Sequence, residues 1–372
     1  MTTLMRTILP PMLLLAACTG PSASTDTATT GTDTSTGTDT ATDTATDTDT
    51  DTEGEAPQVF TACDAEFTIT EPNPMYAWTP NAITLKSEEL APGVFAVYDQ
   101  LADSYGPSGI PLATSGGFVI GDEGVVMIET MINRQLFCQV IDLIQEETDK
   151  PVLYAINTSY HGDHSFGNAY LPDEVLVVQH AEAAKHIAAN FDEDIVFMEM
   201  GFGADQDIAE AIPVVADVLV DDSGWSIDMG GVSVEAQYHG FGQTEGDLFI
   251  YVPEAKVLWT GNPLVAQGPA LPWLLDGHAS EVSSTLAAVK ASLPADAIII
   301  PGHSHPLGPD GFDFAVDYLD TLIVEVQGAV DDGMSLEQTQ ASVTMDAFAG
   351  YALWDWIHTG VNVTATYSEL GG

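Results

Sequence analysis

The chain has 372 residues, 45% of them apolar and six of them Trp, enough to fill the core of one large domain or two small ones. Acidic residues outnumber basic ones 56 to 7, for a formal net charge of −49. Such a surface repels phosphate backbones and anionic headgroups, which excludes nucleic-acid binding and charge-driven membrane binding. The acids are spread along the chain, as on a generally acidic surface suited to salty surroundings rather than on one acidic binding face.

Residues 1–17 read as an export signal. Arg6 supplies a short positive region, and the apolar run Ile8 to Ala17 is too short to remain as a membrane span. It ends Leu15-Ala16-Ala17-Cys18, which resembles the lipobox of bacterial lipoproteins and implies acylation at Cys18. Thr19 follows, with no Asp there to retain an inner-membrane lipoprotein, so outer-membrane sorting is expected. The other reading is an ordinary signal peptide with a chance Cys. Residues 18–55 form a Thr/Asp-rich tract without a large aliphatic or aromatic residue. Nothing there offsets the entropy of ordering, so a disordered tether is expected. Cys63 and Cys138 remain. An oxidising compartment permits a disulfide that ties the N-terminal arm to the first helix. Two buried free thiols are the alternative.

Residues 57–90 contain several Pro and read as an irregular arm. Strands are expected at Gly93–Tyr98, Ser115–Ile120 and Val125–Thr130, the last two joined by the Gly121-Asp122-Glu123-Gly124 turn. Arg134–Thr148 has helical spacing, with Leu136, Val140, Leu143 and Ile144 on one face. Pro151–Ile156 and Val175–Gln179 read as strands, and Ala181–Asn190 as a helix. Residues 191–213 read as an acidic helix-and-loop insertion over one face. Four more strands are expected at Val214–Val220, Val232–His239, Leu248–Val252 and Val257–Thr260. A helix at Glu281–Leu293, a strand at Ile298–Pro301 and helices at Phe312–Ala329 and Ser335–Phe348 complete the pattern. This alternation predicts two sheets packed face to face with helices outside.

Polar loops follow four of these strands. They are Ser159-Tyr160-His161-Gly162-Asp163-His164, then His239-Gly240-Phe241-Gly242-Gln243-Thr244-Glu245-Gly246-Asp247, then Gly261-Asn262, and last Pro301-Gly302-His303. Their order and spacing resemble the metallo-β-lactamase-fold hydrolases, in the periplasmic metallohydrolase branch. The resemblance runs over about residues 93–306 and implies an αββα four-layer sandwich. It divides the chain into a metallo-β-lactamase-like domain at 56–310 and a packed helical extension at 311–372.

The family's first metal site falls here on Ser159, His161 and Gln243. Its second falls on Asp163, His164 and His303, and its bridging carboxylate falls on Asn262. A hydroxyl and an amide are poor Zn²⁺ ligands, whereas one carboxylate and two imidazoles with water complete a tetrahedral catalytic site. One zinc ion rather than two is therefore expected, with none as the further alternative. His161 and Asp163 are the expected catalytic residues, with His161 freed as a general base or hydrogen-bond donor. Glu129 stands where the family has Asp and would orient the ligand loop through hydrogen bonds.

His239 and His305 lie beside the motifs, yet read as strand-end polar residues. His180, His186, His278 and His358 read as structural. Trp273, Trp225 and Tyr160 line a substrate cleft or pack in the core. The chemistry implied is hydrolysis of an ester-, lactone- or amide-like small molecule. The alternative is an inactive relative that binds a ligand or partner. Oligomeric state has no signal in the sequence.

Overall fold

A computed structural model describes residues 58–372, which form one compact unit. The export signal, Cys18 and the Thr/Asp-rich tract lie outside the described residues. Two sheets make the middle of the molecule. The larger holds β1 (Leu85–Ala91), β2 (Val94–Asp99), β3 (Gly116–Ile120), β4 (Val125–Ile128), β5 (Val152–Ile156), β6 (Leu176–His180) and β7 (Val218–Val220), in that spatial order. Strands β1 to β4 pair antiparallel and β4 to β7 pair parallel. The smaller sheet holds β8 (Trp225–Asp228), β9 (Ser233–Gln237), β10 (Phe249–Val252), β11 (Val257–Gly261) and β12 (Ile298–Pro301), with β12 beside β11 and β8 at the far edge. Its one parallel pair is β11 with β12.

The helices are α1 (Ala102–Tyr105), α2 (Arg134–Glu147), α3 (Gly162–Ser165), α4 (Ala181–Phe202), α5 (Ala279–Ser292), α6 (Gly311–Asp331), α7 (Leu336–Ser342) and α8 (Val363–Glu369). Parallel neighbours need a crossover, and α2 and α5 supply two of them. Asn133 caps α2, its side chain accepting from the Leu136 amide.

Side-chain alternation shows the layers. In β4, Val126 and Ile128 face the other sheet while Val125 and Met127 face α2. In the small sheet, Val257, Trp259 and Ile300 face inward, while Leu258 and Ile299 face α5 and α6. Both faces of these strands are buried, which is why they read as continuous apolar runs. The result is the four-layer αββα sandwich. Trp259 crosses the interior to donate from Nε1 to the Gly116 carbonyl at 2.8 Å. A Cβ at Gly117 would come within 2.7 Å of that indole, so only glycine fits there.

Several elements differ from expectation. The arm at 57–90 ends in the edge strand β1, whose Lys, Ser and Glu residues face partly outward and obscure the strand pattern. The strand expected from Val214 begins only at Val218, and β8 was not expected at all. α4 runs to Phe202, twelve residues past its predicted end. Ser335–Phe348 is one short helix and a separate turn at Asp346–Phe348. The stretch Asp355–Glu369 is helical, beginning with wide π-type turns. Cys63 and Cys138 are joined in a disulfide that fastens the arm to α2. Among the described residues, no helix is long and apolar enough to cross a membrane.

Candidate metal centre

The loops that leave β4, β5, β9, β11 and β12 gather at one edge of the sandwich. His161, Asp163 and His164 lie at and within α3, immediately beyond β5. His303 follows β12. Asp163, His164 and His303 each offer a ligand atom, and the three atoms lie within 4.8 Å of one another. The Nε2 atoms of His164 and His303 both stand 3.4 Å from Asp163 Oδ2.

The other ring nitrogens fix the tautomers. His303 Nδ1 lies 3.0 Å from the Leu112 carbonyl, and His164 Nδ1 lies 3.0 Å from Glu129 Oε1. A carbonyl can only accept, so His303 carries a proton on Nδ1 and presents an Nε2 lone pair to Asp163 when neutral, and the nearby Glu129 charge favours the same tautomer at His164. Both ring nitrogens of His164 are buried without a well-aligned hydrogen bond, the Glu129 and Asp163 contacts being charge contacts. Two imidazole lone pairs and one carboxylate oxygen match the donor set of a Zn²⁺ site, zinc being the usual ion of this donor chemistry.

Burial alone would raise the Asp163 carboxyl, but the His164, His303 and His161 rings and the Thr114 hydroxyl hold it below the usual range. Burial would likewise depress His164. There the Asp163 and Glu129 carboxylates outweigh it and hold the ring at about 9. Burial dominates at His303, which falls to about 4, and lowers His161 as well.

The three altered positions are also in place. Ser159 is fully buried, its hydroxyl accepting from the His161 amide at 3.3 Å. Asn262 Nδ2 stands 3.3 Å from His161 Nδ1. Asn262 Oδ1 and Gln243 Oε1 are buried with no protein partner.

A pocket opens beside the cluster, with about 610 Å³ of empty space including its open mouth. His161, Asp163, His303, Gln243 and Asn262 line its polar end. Trp78, Ile110, Leu112, Phe202, Val265 and Trp273 form much of its apolar wall.

A family model of the metallo-beta-lactamase superfamily matches residues 109–303, more than half of the chain. The chain belongs to the metallo-beta-lactamase superfamily. Among solved structures, the inverting sec-alkylsulfatase Pisa1 from Pseudomonas sp. aligns with a TM-score of 0.60 at 18% identity. The match covers 79% of this chain and 51% of the sulfatase, so this chain spans about half of that protein's length. A metallo-beta-lactamase from Pontibacter korlensis aligns with a TM-score of 0.49 at 19% identity, covering 64% of this chain and 99% of that one. At 18% identity the likeness to the sulfatase is one of fold.

Within this superfamily member, other sequence readings sort themselves by position. Trp273 lines the pocket and donates to the Tyr351 hydroxyl at 3.3 Å. Trp225 does not line it; it packs on Tyr154. Tyr160 is buried in the ligand loop, with its hydroxyl donating to Asp276 Oδ2 at 2.9 Å. His239 bonds Gln237 and His305 faces Gln267, so neither joins the cluster.

Three contributors had no signal in sequence. Thr114 donates to Asp163 Oδ2 at 2.8 Å, the Leu112 carbonyl orients His303, and Ser115 Oγ exchanges hydrogen bonds with the Ser304 backbone. The last pair fastens the strand-entry loop of β3 to the His303 loop.

Proposed function

We propose that the protein is a zinc-dependent hydrolase of ester-, lactone- or amide-like small molecules, with one metal ion held by Asp163, His164 and His303. The observation that carries this reading is the convergence of the His164 and His303 Nε2 atoms, each 3.4 Å from Asp163 Oδ2, at the polar end of an otherwise apolar pocket. Zinc in such a site supplies Lewis acidity and lowers the pKa of a water toward about 7.

The chain's own groups do the rest. Thr114 holds the Asp163 carboxylate in one orientation. Burial keeps His161 neutral. With Asn262 Nδ2 donating to its Nδ1, the His161 proton sits on Nε2. His161 therefore acts as a donor, to a carbonyl oxygen that gains negative charge or to the leaving group. The general-base role expected from sequence needs the opposite tautomer. The apolar wall excludes water around the reacting group and strengthens these interactions.

The test is metal content and esterase or lactonase turnover of the purified protein, before and after chelation. One zinc per chain and restoration of turnover by zinc support the reading, as does loss of both in His303→Ala. No zinc in the native protein, or turnover that persists in chelator, overturns it. The neutral side chains at Ser159, Gln243 and Asn262 favour a second reading, a ligand-binding relative without activity. Full zinc occupancy with no turnover on any ester, lactone or amide class selects it.

Export and tethering through a lipid at Cys18 belong to the same proposal, motivated by the Leu15-to-Cys18 motif. Mass analysis of the mature N-terminus checks it: an unacylated Cys18 rules the tether out.

A further inference from the structure

The pocket's charge pattern carries more than the hydrolase reading uses. Among the lining residues there is no Lys, no Arg and no Glu, and Asp163 is the one carboxylate. The six basic residues described in the structure are all engaged elsewhere. Lys86 pairs with Asp103, Arg134 with Glu210, Lys185 with Glu182, Lys256 with Asp296 and Lys290 with Asp313, while Lys150 donates to the Gly121 carbonyl. None of them lines the pocket.

Beyond the polar end, the wall is hydrocarbon and aromatic on every element that builds it. Trp78 comes from the N-terminal arm, Ile110 and Leu112 from the loop before β3, Phe202 from α4, and Val265 and Trp273 from the loop after β11. An anion buried against such a wall loses its hydration with no cation to replace it. The surrounding net charge of −49 raises the cost further. The head of the pocket is different. There the Gln243 and Asn262 amide oxygens are buried without partners and can accept from an uncharged donor.

We infer that the substrate is an uncharged molecule whose head group carries a hydrogen-bond donor, as a carboxamide does, with an apolar acyl or alkyl chain, and that the pocket rejects a chain bearing an anionic group. The inference rests on the reading of this pocket as the substrate site. It separates the protein from any relative that grips a substrate carboxylate or sulfate through Lys or Arg.

The experiment is a binding titration of the full chain, followed by tryptophan fluorescence, with octanamide and with 7-carboxyheptanamide. The two ligands share a carboxamide head and chain length and differ by one terminal carboxylate. At about pH 8 the carboxylate is ionised. Octanamide should bind at least about tenfold tighter. Ile110→Lys places a cation at the rim, where Ile110 is 39% exposed, and should narrow the ratio to about threefold by tightening the acid.

Equal or tighter binding of the acid by the native protein overturns the inference. So does failure of both ligands to bind, or an Ile110→Lys variant that folds normally and leaves the ratio unchanged. Turnover of a neutral octanoate ester is measured in the same samples. Selective binding without turnover leaves the pocket assignment standing and removes the hydrolase reading, and turnover without selectivity does the reverse.

Discussion

Glu129→Gln is the sharpest probe of how the metal site is held. Glu129 is 1% exposed, and its carboxylate meets three groups. Oε2 accepts from the Thr158 amide at 3.3 Å, while Oε1 accepts from the Thr158 hydroxyl and faces His164 Nδ1 at 3.0 Å. Gln has nearly the same shape but one acceptor and one NH₂. If its oxygen faces His164, the NH₂ opposes the Thr158 amide, donor against donor. If its NH₂ faces His164, Nδ1 must accept, and the ring proton moves to Nε2, the atom aimed at Asp163. The first orientation leaves the Thr158 amide unsatisfied, at about 1–3 kcal/mol, and the second puts a proton on the nitrogen that would bind the metal. Both remove the charge that makes His164 a stronger donor to a metal. Zinc affinity should fall about 10- to 100-fold. Competition with a chromophoric chelator reads this directly, and thermal unfolding without zinc reads the stability cost. Affinity within about twofold of the native protein would show that Glu129 does not set the His164 tautomer.

Three further outcomes follow from the fold. Trp259→Phe removes the donor to the Gly116 carbonyl and leaves a void between the sheets, so urea unfolding should show a loss of about 2–4 kcal/mol; under about 1 kcal/mol counts against the packing argument. Replacing Cys63 and Cys138 by Ser frees a 75-residue loop, with an expected loss of about 2–4 kcal/mol in the same assay and a negligible change as the refuting result. Burial holds the Asp247 carboxyl up at about 6 against 3.8 for free Asp, despite hydrogen bonds from Thr244. The folded chain thus binds this proton more tightly, a contribution complete below about pH 3.8 and lost as pH rises through 6. At 1.36 kcal/mol per unit it is on the order of 3 kcal/mol. Native stability relative to Asp247→Asn should fall by that amount between about pH 4 and pH 6.5, and a flat difference refutes the burial argument.

What sequence made legible was what repeats locally or lies close in the chain. His161, Asp163 and His164 sit within four residues, and the apolar runs of β4, β5 and β12 announce strands buried on both faces. What it hid depends on contacts between distant segments. The Leu112 carbonyl reaches His303 across 191 positions because Ser115 and Ser304 join the two loops, and no side-chain pattern records a backbone oxygen. Trp78 becomes a pocket wall only when the arm folds back over α4, where it packs on Phe202. β8 alternates between half-buried and exposed residues over only four positions, too few to stand out. Asp355–Asn362 contains Thr359, Gly360 and Asn362, poor helix formers. Tertiary bonds hold it instead: the Asn362 side chain donates to the Pro272 carbonyl and Tyr318 hydroxyl, and His358 bonds Val343 and Tyr318. The C-terminal helices thereby fix the loop that carries Trp273 into the pocket wall.

Charge balance argues for one ion over two at this centre. A buried divalent ion needs nearby anions to offset the loss of hydration. Asp163 and Glu129 supply two carboxylates around the His164 ring, enough to balance one Zn²⁺ with neutral imidazoles. Asp247 is spent on the amide and hydroxyl of Thr244. The three positions that would serve a second ion are Ser159, Gln243 and Asn262, and none carries charge. Ser159 is further committed to the His161 amide and Asn262 to the His161 ring. A second ion would therefore sit with one free imidazole and no new anion, in a pocket whose wall is apolar. Of these residues, Asn262 also sets the His161 tautomer, and Asn262 and Gln243 leave buried amide oxygens without protein partners at the pocket's polar end. The altered half of the site is thus better suited to hold an uncharged head group than to hold a metal.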